Sequence, residues 1–543
     1  MRTVLVALLL TIPAVSQDTV DLETVDRIKT EAFDHSKVMD HLYQLAEVHG
    51  PRLSWSAGFF DAVNWAVTEL KEMGLANVHT EKWTPAGRSW MLEASSAELI
   101  TPHYQQMTAV PLAWSAATSG PVSGEPIMAP FSGTFRDGPK KLGEAWKAYQ
   151  AKWSGKLRGK IILLSIPHPP EPETKPLFRR YTAAELSDLE NAPEPAAKLA
   201  AKTLDELEWP EKPEDLGKFF AVLPSSLMDQ LFDLYDGAVA ERGSFLAKEG
   251  VAAVLLEDAR AHDGLLAAEA AGSFKSNETM APPTFVITAE QYDRIARMVE
   301  KKQPVEVRLN LKAAISNTDR EGENIVGEIP GGAKKDEVVM IGAHFDSWHS
   351  GTGATDNGAG SAVMIEVMRI LTALHLPLDR TVRIALWSGE EEGLFGSRAY
   401  VKQHFADPKT MVLTPEYAKL SGYFNLDNGS GKIRGVYLQG NDAMRPIFQT
   451  WLAPFRDQGV TAITIRNTGG TDHLSFAAVG LPGFQFVQDP LDYGTLTHHT
   501  DMDTYDHAIP ADLMQASAVI ASCVYDAANR KEMLPRRELP KPE

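Results

Sequence analysis

The 543 residues contain one cysteine, Cys523. That excludes an intramolecular disulfide and a cysteine-rich zinc site. Cys523 lies in the apolar run ASAVIASCVYDA and reads as a buried structural thiol. Positive charge is in deficit: 53 Lys and Arg stand against 72 Asp and Glu, a net charge of −19. A chain of that sign is unsuited to binding nucleic-acid phosphates or docking on anionic lipid. No apolar run is long enough to span a bilayer. Three catalytic signatures are also missing. Without HExxH there is no helix-borne single-zinc protease. Without GxSxG there is no nucleophile elbow. GTGATDNG breaks the GxGxxG dinucleotide spacing, because Asp356 occupies the third glycine position. No internal repeat is present.

What is present is ordinary for a globular protein: 44% hydrophobic and 23% charged residues. The length exceeds what one core supports, so two or three domains are expected. The N-terminus, MRTVLVALLLTIPAVSQ, has a positive Arg2, an apolar stretch from Val4 to Ile12 and the small-x-small pattern Ala14-Val15-Ser16. It reads as a secretory signal, residues 1–16, cleaved after Ser16. Export together with a single cysteine points to a periplasmic or extracellular protein.

The chain then divides by texture. Residues 17–112 carry helical periodicity from His35 to Val48 and from Phe59 to Met73, with Gly74 as a C-terminal cap. Strand-like NVHTEKWTPA and SWMLEASSAELI follow. Residues 113–315 form an insert with short β-like runs, GKIILLSI, VAAVLLED, PTFVITA and VEVRLNLKA. Within it lies a Pro-rich polar excursion at about 168–217, a surface loop by composition. No metal-ligand or nucleophile cluster is visible in the insert, which reads as non-catalytic. Residues 316–530 alternate strands and helices. That pattern implies an α/β fold with a mixed, largely parallel sheet covered by helices. Residues 531–543 read as a disordered tail.

The chemistry collects at the ends of these last strands. The run VVMIGAHF closes on His344 and Asp346, and Asp356 follows in a strand-to-helix turn, TDNGAG. Such turns are where α/β folds place ligand sites. TVRIALW runs into Glu390, Glu391 and Glu392, neighbours that repel unless a cation or proton intervenes. GYFNLD ends on Asp427. Asp472 and His473 stand in GGTDHLSF. His498, His499, Asp501 and Asp503 stand in THHTDMDTYDH. Imidazole and carboxylate suit zinc and related divalent ions. The ordered set supplies ligands for two metals together with a carboxylate left free to move a proton.

This order, with DNGAGS and EExGLxGS, resembles the co-catalytic di-zinc exopeptidases of metallopeptidase family 28, which include bacterial leucyl aminopeptidases and carboxypeptidase Q. The resemblance spans residues 321–530, with 35–110 as the N-terminal part. GKIILLS and EGVAAVLLED make the insert similar to a β-rich protease-associated (PA) domain. The resemblance implies two Zn2+ per chain and peptide substrates. It makes His344 a ligand of one zinc, Asp346 the acid that orients it, and Asp356 the bridging carboxylate. Glu390 becomes the general acid and base and Glu391 the ligand of the second zinc. Asp427 becomes the terminal ligand beside His344, and His499 pairs with Glu391, with His498 its neighbour. Tyr493 and His473 are candidates for the oxyanion or substrate, against structural roles. An aminopeptidase is the leading expectation. A carboxypeptidase or dipeptidase shares the same ligands, and an inactive receptor-like homologue is the remote rival. Oligomeric state is left open.

Overall fold

The computed structural model describes all residues except 1–17, 135–136, 169–173, 195–200, 202, 211–218, 220–222, 224, 259, 261–263 and 543. The expected secretory signal, residues 1–16, therefore lies outside the described residues. Among those described, no helix is long and apolar enough to cross a membrane.

The main sheet is mixed and ten-stranded. Its centre is parallel: Lys334–His344 lies between Arg380–Trp387 and Leu420–Asn425, and the latter pairs with Gly483–Gln488. One flank is antiparallel, as Glu306–Ile329 pairs with Arg380–Trp387 and with Ala76–Thr101. Side-chain alternation explains why both faces are covered. Val339, Ile341 and Ala343 enter one core with the helices Ala359–Ala373 and Pro510–Asn529, while Met340 enters another with Phe395–His404. Strands buried on both faces read as continuous apolar runs, which is how VVMIGA and TVRIALW appear. This is the expected α/β class with a helix-covered, centrally parallel sheet.

The N-terminal helices differ in detail from the periodicity. A helix Leu22–Asp34 precedes His35, capped by the Asp21 carboxylate and buried through Val25, Ile28 and Ala32. Its charged outer face masks so narrow an apolar stripe. Ala57–Glu72 is capped by Ser56 and ended by Gly74 at φ +85°. The tail also departs from expectation. Leu534 is buried, and Arg536 and Arg537 donate to the carbonyls of Tyr417, Leu420 and Gln439. The tail is therefore anchored at Leu534, Arg536 and Arg537, while Lys531, Glu532, Glu538, Leu539, Lys541 and Pro542 stay exposed.

The insert is mounted on a two-stranded ribbon. Ala76–Thr101 leads to it and Glu306–Ile329 leads back, paired from Ala76↔Glu328 to Thr101↔Glu306. Residue 315 thus falls within the second ribbon strand. The insert's own sheet has five strands, in the order Ala109–Pro111, Thr284–Ile287, Ala253–Glu257, Ile161–Leu163 and Pro126–Met128. It is joined to the main sheet by an aromatic cluster. Trp55 stacks on Phe274 at 4.6 Å and meets Trp83, Trp114 and Phe395 at 5.6, 6.0 and 6.5 Å. Part of the Pro-rich excursion is docked as well. Arg180 pairs with Asp489 at 2.9 Å and Asp512 at 2.7 Å. The helix Ala183–Glu190 buries Leu186 and Leu189 against Ala462 and Val487.

Candidate metal centre

Parallel register puts the chemistry at one edge. His344 pairs with Trp387 and Gly342 with Asn425, so three strands end side by side. Glu390 and Asp427 follow within three residues of those ends. His344 Nε2 lies 3.2 Å from Asp356 Oδ1, 3.4 Å from Asp427 Oδ1 and 3.9 Å from Glu390 Oε2. His499 Nε2 lies 3.0 Å from Glu391 Oε2 and 3.4 Å from Asp356 Oδ2. Asp356 thus presents one oxygen to each group. His498 stands further off, at 3.9 Å from Asp356 Oδ2.

The tautomer of His344 sharpens this. Its Nδ1 donates to the Asp346 carbonyl at 3.2 Å, which leaves the Nε2 lone pair aimed at two carboxylates. The Asp346 carboxylate itself lies 3.7 Å from Nδ1. It accepts from Ser54 Oγ at 2.9 Å and from the Glu390 and Glu391 N–H groups at 3.4 Å each. Asp346 therefore fixes the turn that carries the glutamates, and its backbone orients the ring.

The loop bearing Asp356 is held from beneath by Arg52, fully buried and hydrogen-bonded to the carbonyls of Phe345, Leu45, Thr352 and Gly353. Burial holds this guanidinium down to about 10, against the pull of Asp503 and Asp346. Asp503 accepts from the backbone N–H groups of Thr355 and Asp356 at 2.6 and 3.2 Å. The glycine-rich interval serves this packing. Gly353, at φ +67°, would place a Cβ 2.3 Å from Ser347, and no larger residue fits.

The electrostatics require a partner that the protein does not supply. Asp346, Asp356, Glu390, Glu392, Asp427 and Asp472 are all buried, and the Glu391 side chain is 3% exposed. Asp356 Oδ2 and Glu391 Oε1 have no hydrogen-bond partner among the described residues. Burial, then Asp356, pushes Glu391 up to about 8; burial raises Glu390 well above the carboxylate range, with Asp427 and Asp472 adding to it. Burial lowers the affinity of His344 and His499 for protons, but the surrounding carboxylates, led by Asp427 and Glu391 respectively, together outweigh it and raise both. Carboxylates this dense, facing imidazole lone pairs, are stable only with protons or cations between them. Ligand atoms of His344, Asp356 and Glu391, of His344, Glu390 and Asp427, and of Asp356, His498 and His499 each lie within 4.8 Å of one another. The donor set fits divalent metal ions.

A cavity of about 500 Å3 opens on this cluster, lined by Asp356, Glu390, Glu391, Asp427, Tyr493 and His499 together with Tyr437, Arg466 and the 467–470 loop. Tyr493 is on its wall. Burial, then Asp356, raises its phenol well above the usual range, so it stays a neutral donor. His473 is not on the wall. It is fully buried, its Nε2 beside the Thr468 carbonyl at 3.2 Å and the Gln439 amide, and burial lowers it to about 4.

The insert, read as non-catalytic, reaches the site. Glu269 Oε1 accepts from His499 Nδ1 at 2.6 Å, and Tyr235 donates to the other Glu269 oxygen. Burial alone would raise Glu269, but His499 holds it down to about 2. Leu231 and Phe232 of the helix Ser225–Lys248 line the cavity. No sequence motif marks these residues, nor Arg52 or Ser54. Asp472 is buried, and burial lifts its carboxyl to about 7.

Residues 324–524 match the model of peptidase family M28. Carboxypeptidase Q of Mus musculus is 26% identical over 498 residues, 92% of this chain and 87% of that protein. Among solved structures, a peptidase M28 precursor from Shewanella amazonensis SB2B superposes with a TM-score of 0.65 at 23% identity, covering 96% of this chain and 98% of that one. BSAP, a zinc aminopeptidase from Bacillus subtilis, superposes at 0.52 and 19% identity, covering 91% and 95%. At those identities the structural likenesses speak for the fold.

Proposed function

From the premise that residues 324–524 belong to peptidase family M28, we propose that the chain is an exported zinc-dependent exopeptidase with two metal sites sharing Asp356. The observation that carries this is the split of the Asp356 carboxylate, one oxygen toward His344 and the other toward His499. His344, Asp356 and Asp427 would hold one ion, and Asp356, Glu391 and His499 the other. Zinc held there lowers the pKa of water and polarises a carbonyl.

The remaining steps belong to the protein. Glu390 is the nearby carboxylate not assigned to a metal, and it takes a proton from the attacking water. The water oxygen bonds to the scissile carbonyl carbon, the C–N bond breaks, and Glu390 returns the proton to the leaving amine. Tyr493, a neutral phenol on the cavity wall, donates to the developing oxyanion. The Asp346 backbone and Glu269 fix the outward nitrogens of the two imidazoles, which keeps each inward nitrogen free to bind. We read residues 113–315 as a PA-like module on the peptidase domain, on the strength of the ribbon mounting and separate sheet. Export rests on Arg2 and the apolar stretch after it.

The metal-ligand order is common to aminopeptidases, carboxypeptidases and dipeptidases, so the choice between them rests on the pocket. Arg466 on the cavity wall favours the carboxypeptidase or dipeptidase reading. Turnover of leucine p-nitroanilide and of dipeptides, before and after chelation, tests the proposal. Activity should vanish with the metal and return with zinc; hydrolysis unaffected by complete metal removal would refute it.

A further inference from the structure

Among the described residues, the cavity wall contains several acids and a single Arg or Lys, Arg466. Each acid on the wall, Asp356, Glu390, Glu391 and Asp427, belongs to the candidate metal centre. None is left over to pair with a substrate ammonium. A further acid beside the cluster, Glu269, is spent on His499 and Tyr235.

Arg466 is in the opposite position. Among the described residues its guanidinium makes no ion pair and no hydrogen bond, although the chain around it is fixed. Its backbone N–H donates to Thr464 Oγ1 at 3.2 Å. The Gln439 side-chain amide clasps Thr468 two residues on, donating to its carbonyl at 2.8 Å and accepting from its N–H at 2.9 Å. Arg466 adjoins the short strand Ala462–Thr464, which the insert's helix Ala183–Glu190 backs through Leu186. A half-buried guanidinium on the wall of an acidic cavity is a fork awaiting a planar anion. Yet the cavity's metal-facing end repels anions unless metals neutralise it, so the anion must sit at the Arg466 end.

We propose that Arg466 binds the C-terminal α-carboxylate of the substrate, so that the enzyme releases C-terminal residues from short peptides with a free C-terminus. This rests on the exopeptidase reading above and supplies its missing specificity residue. A cavity of about 500 Å3 is the size of ordinary small-ligand sites and suits a dipeptide-sized occupant.

Binding and turnover separate the two claims. In the zinc-loaded full chain carrying Glu390→Gln, calorimetry measures Leu-Ala, Leu-Ala amide and Leu-Glu amide. Adding Arg466→Gln should weaken Leu-Ala roughly 10- to 100-fold and the amide about twofold or less. Arg466→Lys should recover part of the loss for Leu-Ala, while thermal melting checks that each variant is folded. Equal losses for Leu-Ala and its amide would overturn the assignment. Leu-Glu amide binding as tightly as Leu-Ala, with the same dependence on Arg466, would also overturn it, by showing that the site takes an acidic side chain. In active enzyme, the kcat/KM ratio of acid to amide should fall toward one in Arg466→Gln, through KM. Binding that depends on Arg466 without turnover of any peptide would count against the exopeptidase reading and leave Arg466 as the carboxylate anchor.

Discussion

The peptidase domain and the insert contribute to one cavity in different ways. The peptidase domain supplies its donors from neighbouring strand ends, where parallel register alone brings His344, Glu390 and Asp427 together. The insert supplies single side chains, Glu269, Tyr235, Leu231 and Phe232, that have no role until it docks. The first kind of site is built into the topology; the second is built by an interface. Aromatic stacking around Trp55 and the Arg180 ion pairs hold that interface.

Three variants probe the contrast, from the centre outward. Glu390→Gln removes the proposed proton carrier and leaves the assigned ligands intact. It should lower kcat by about 10²- to 10⁴-fold with metal content unchanged; a variant that keeps most of its activity would shift the role to another acid, Asp472 first. Glu269→Gln tests whether the insert shares in the chemistry. Losing the charge behind His499 should weaken zinc roughly 10- to 100-fold, read by competition with a chromophoric chelator. Zinc affinity equal to wild type would return the insert to a purely structural role. Arg180→Ala probes docking alone. Its side chain is one-third exposed and Arg434 also pairs with Asp489 at 2.8 Å, so the loss should be only about 1–2 kcal/mol. Limited proteolysis should then cut residues 174–191 faster, and an unchanged rate would mean that the segment is held by Leu186 and Leu189.

The same contrast explains what could be read from sequence. The main-sheet strands and the α/β class were legible because each buried strand is a continuous apolar run bounded by turns. The grouping of His344, Asp356, Glu390, Glu391, Asp427 and His499 was legible because four of them stand at or just beyond such a run, with Asp356 in a strand-to-helix turn and His499 in a downstream loop completing a fixed order. Glu269 was not: 230 residues separate it from His499, and a lone Glu in AAEAAG has no periodicity or motif to betray it. Arg466 was invisible for another reason, since it is singled out by having no hydrogen-bond or ion-pair partner for its guanidinium among the described residues, which no sequence pattern reveals. Leu22–Asp34 was missed because three small or medium apolar residues among charges make a weak stripe. The tail was missed because its anchors are arginines donating to carbonyls, which composition reads as solvated charge.

The central claim is that Asp356 serves two metals at once. Elemental analysis of the purified full chain and of Asp356→Asn, after equilibration with a buffered trace of zinc, tests it most directly. The account predicts about two zinc ions per chain in the wild type, and loss at both sites in the variant. One zinc in the wild type, or a variant that keeps both, would contradict it.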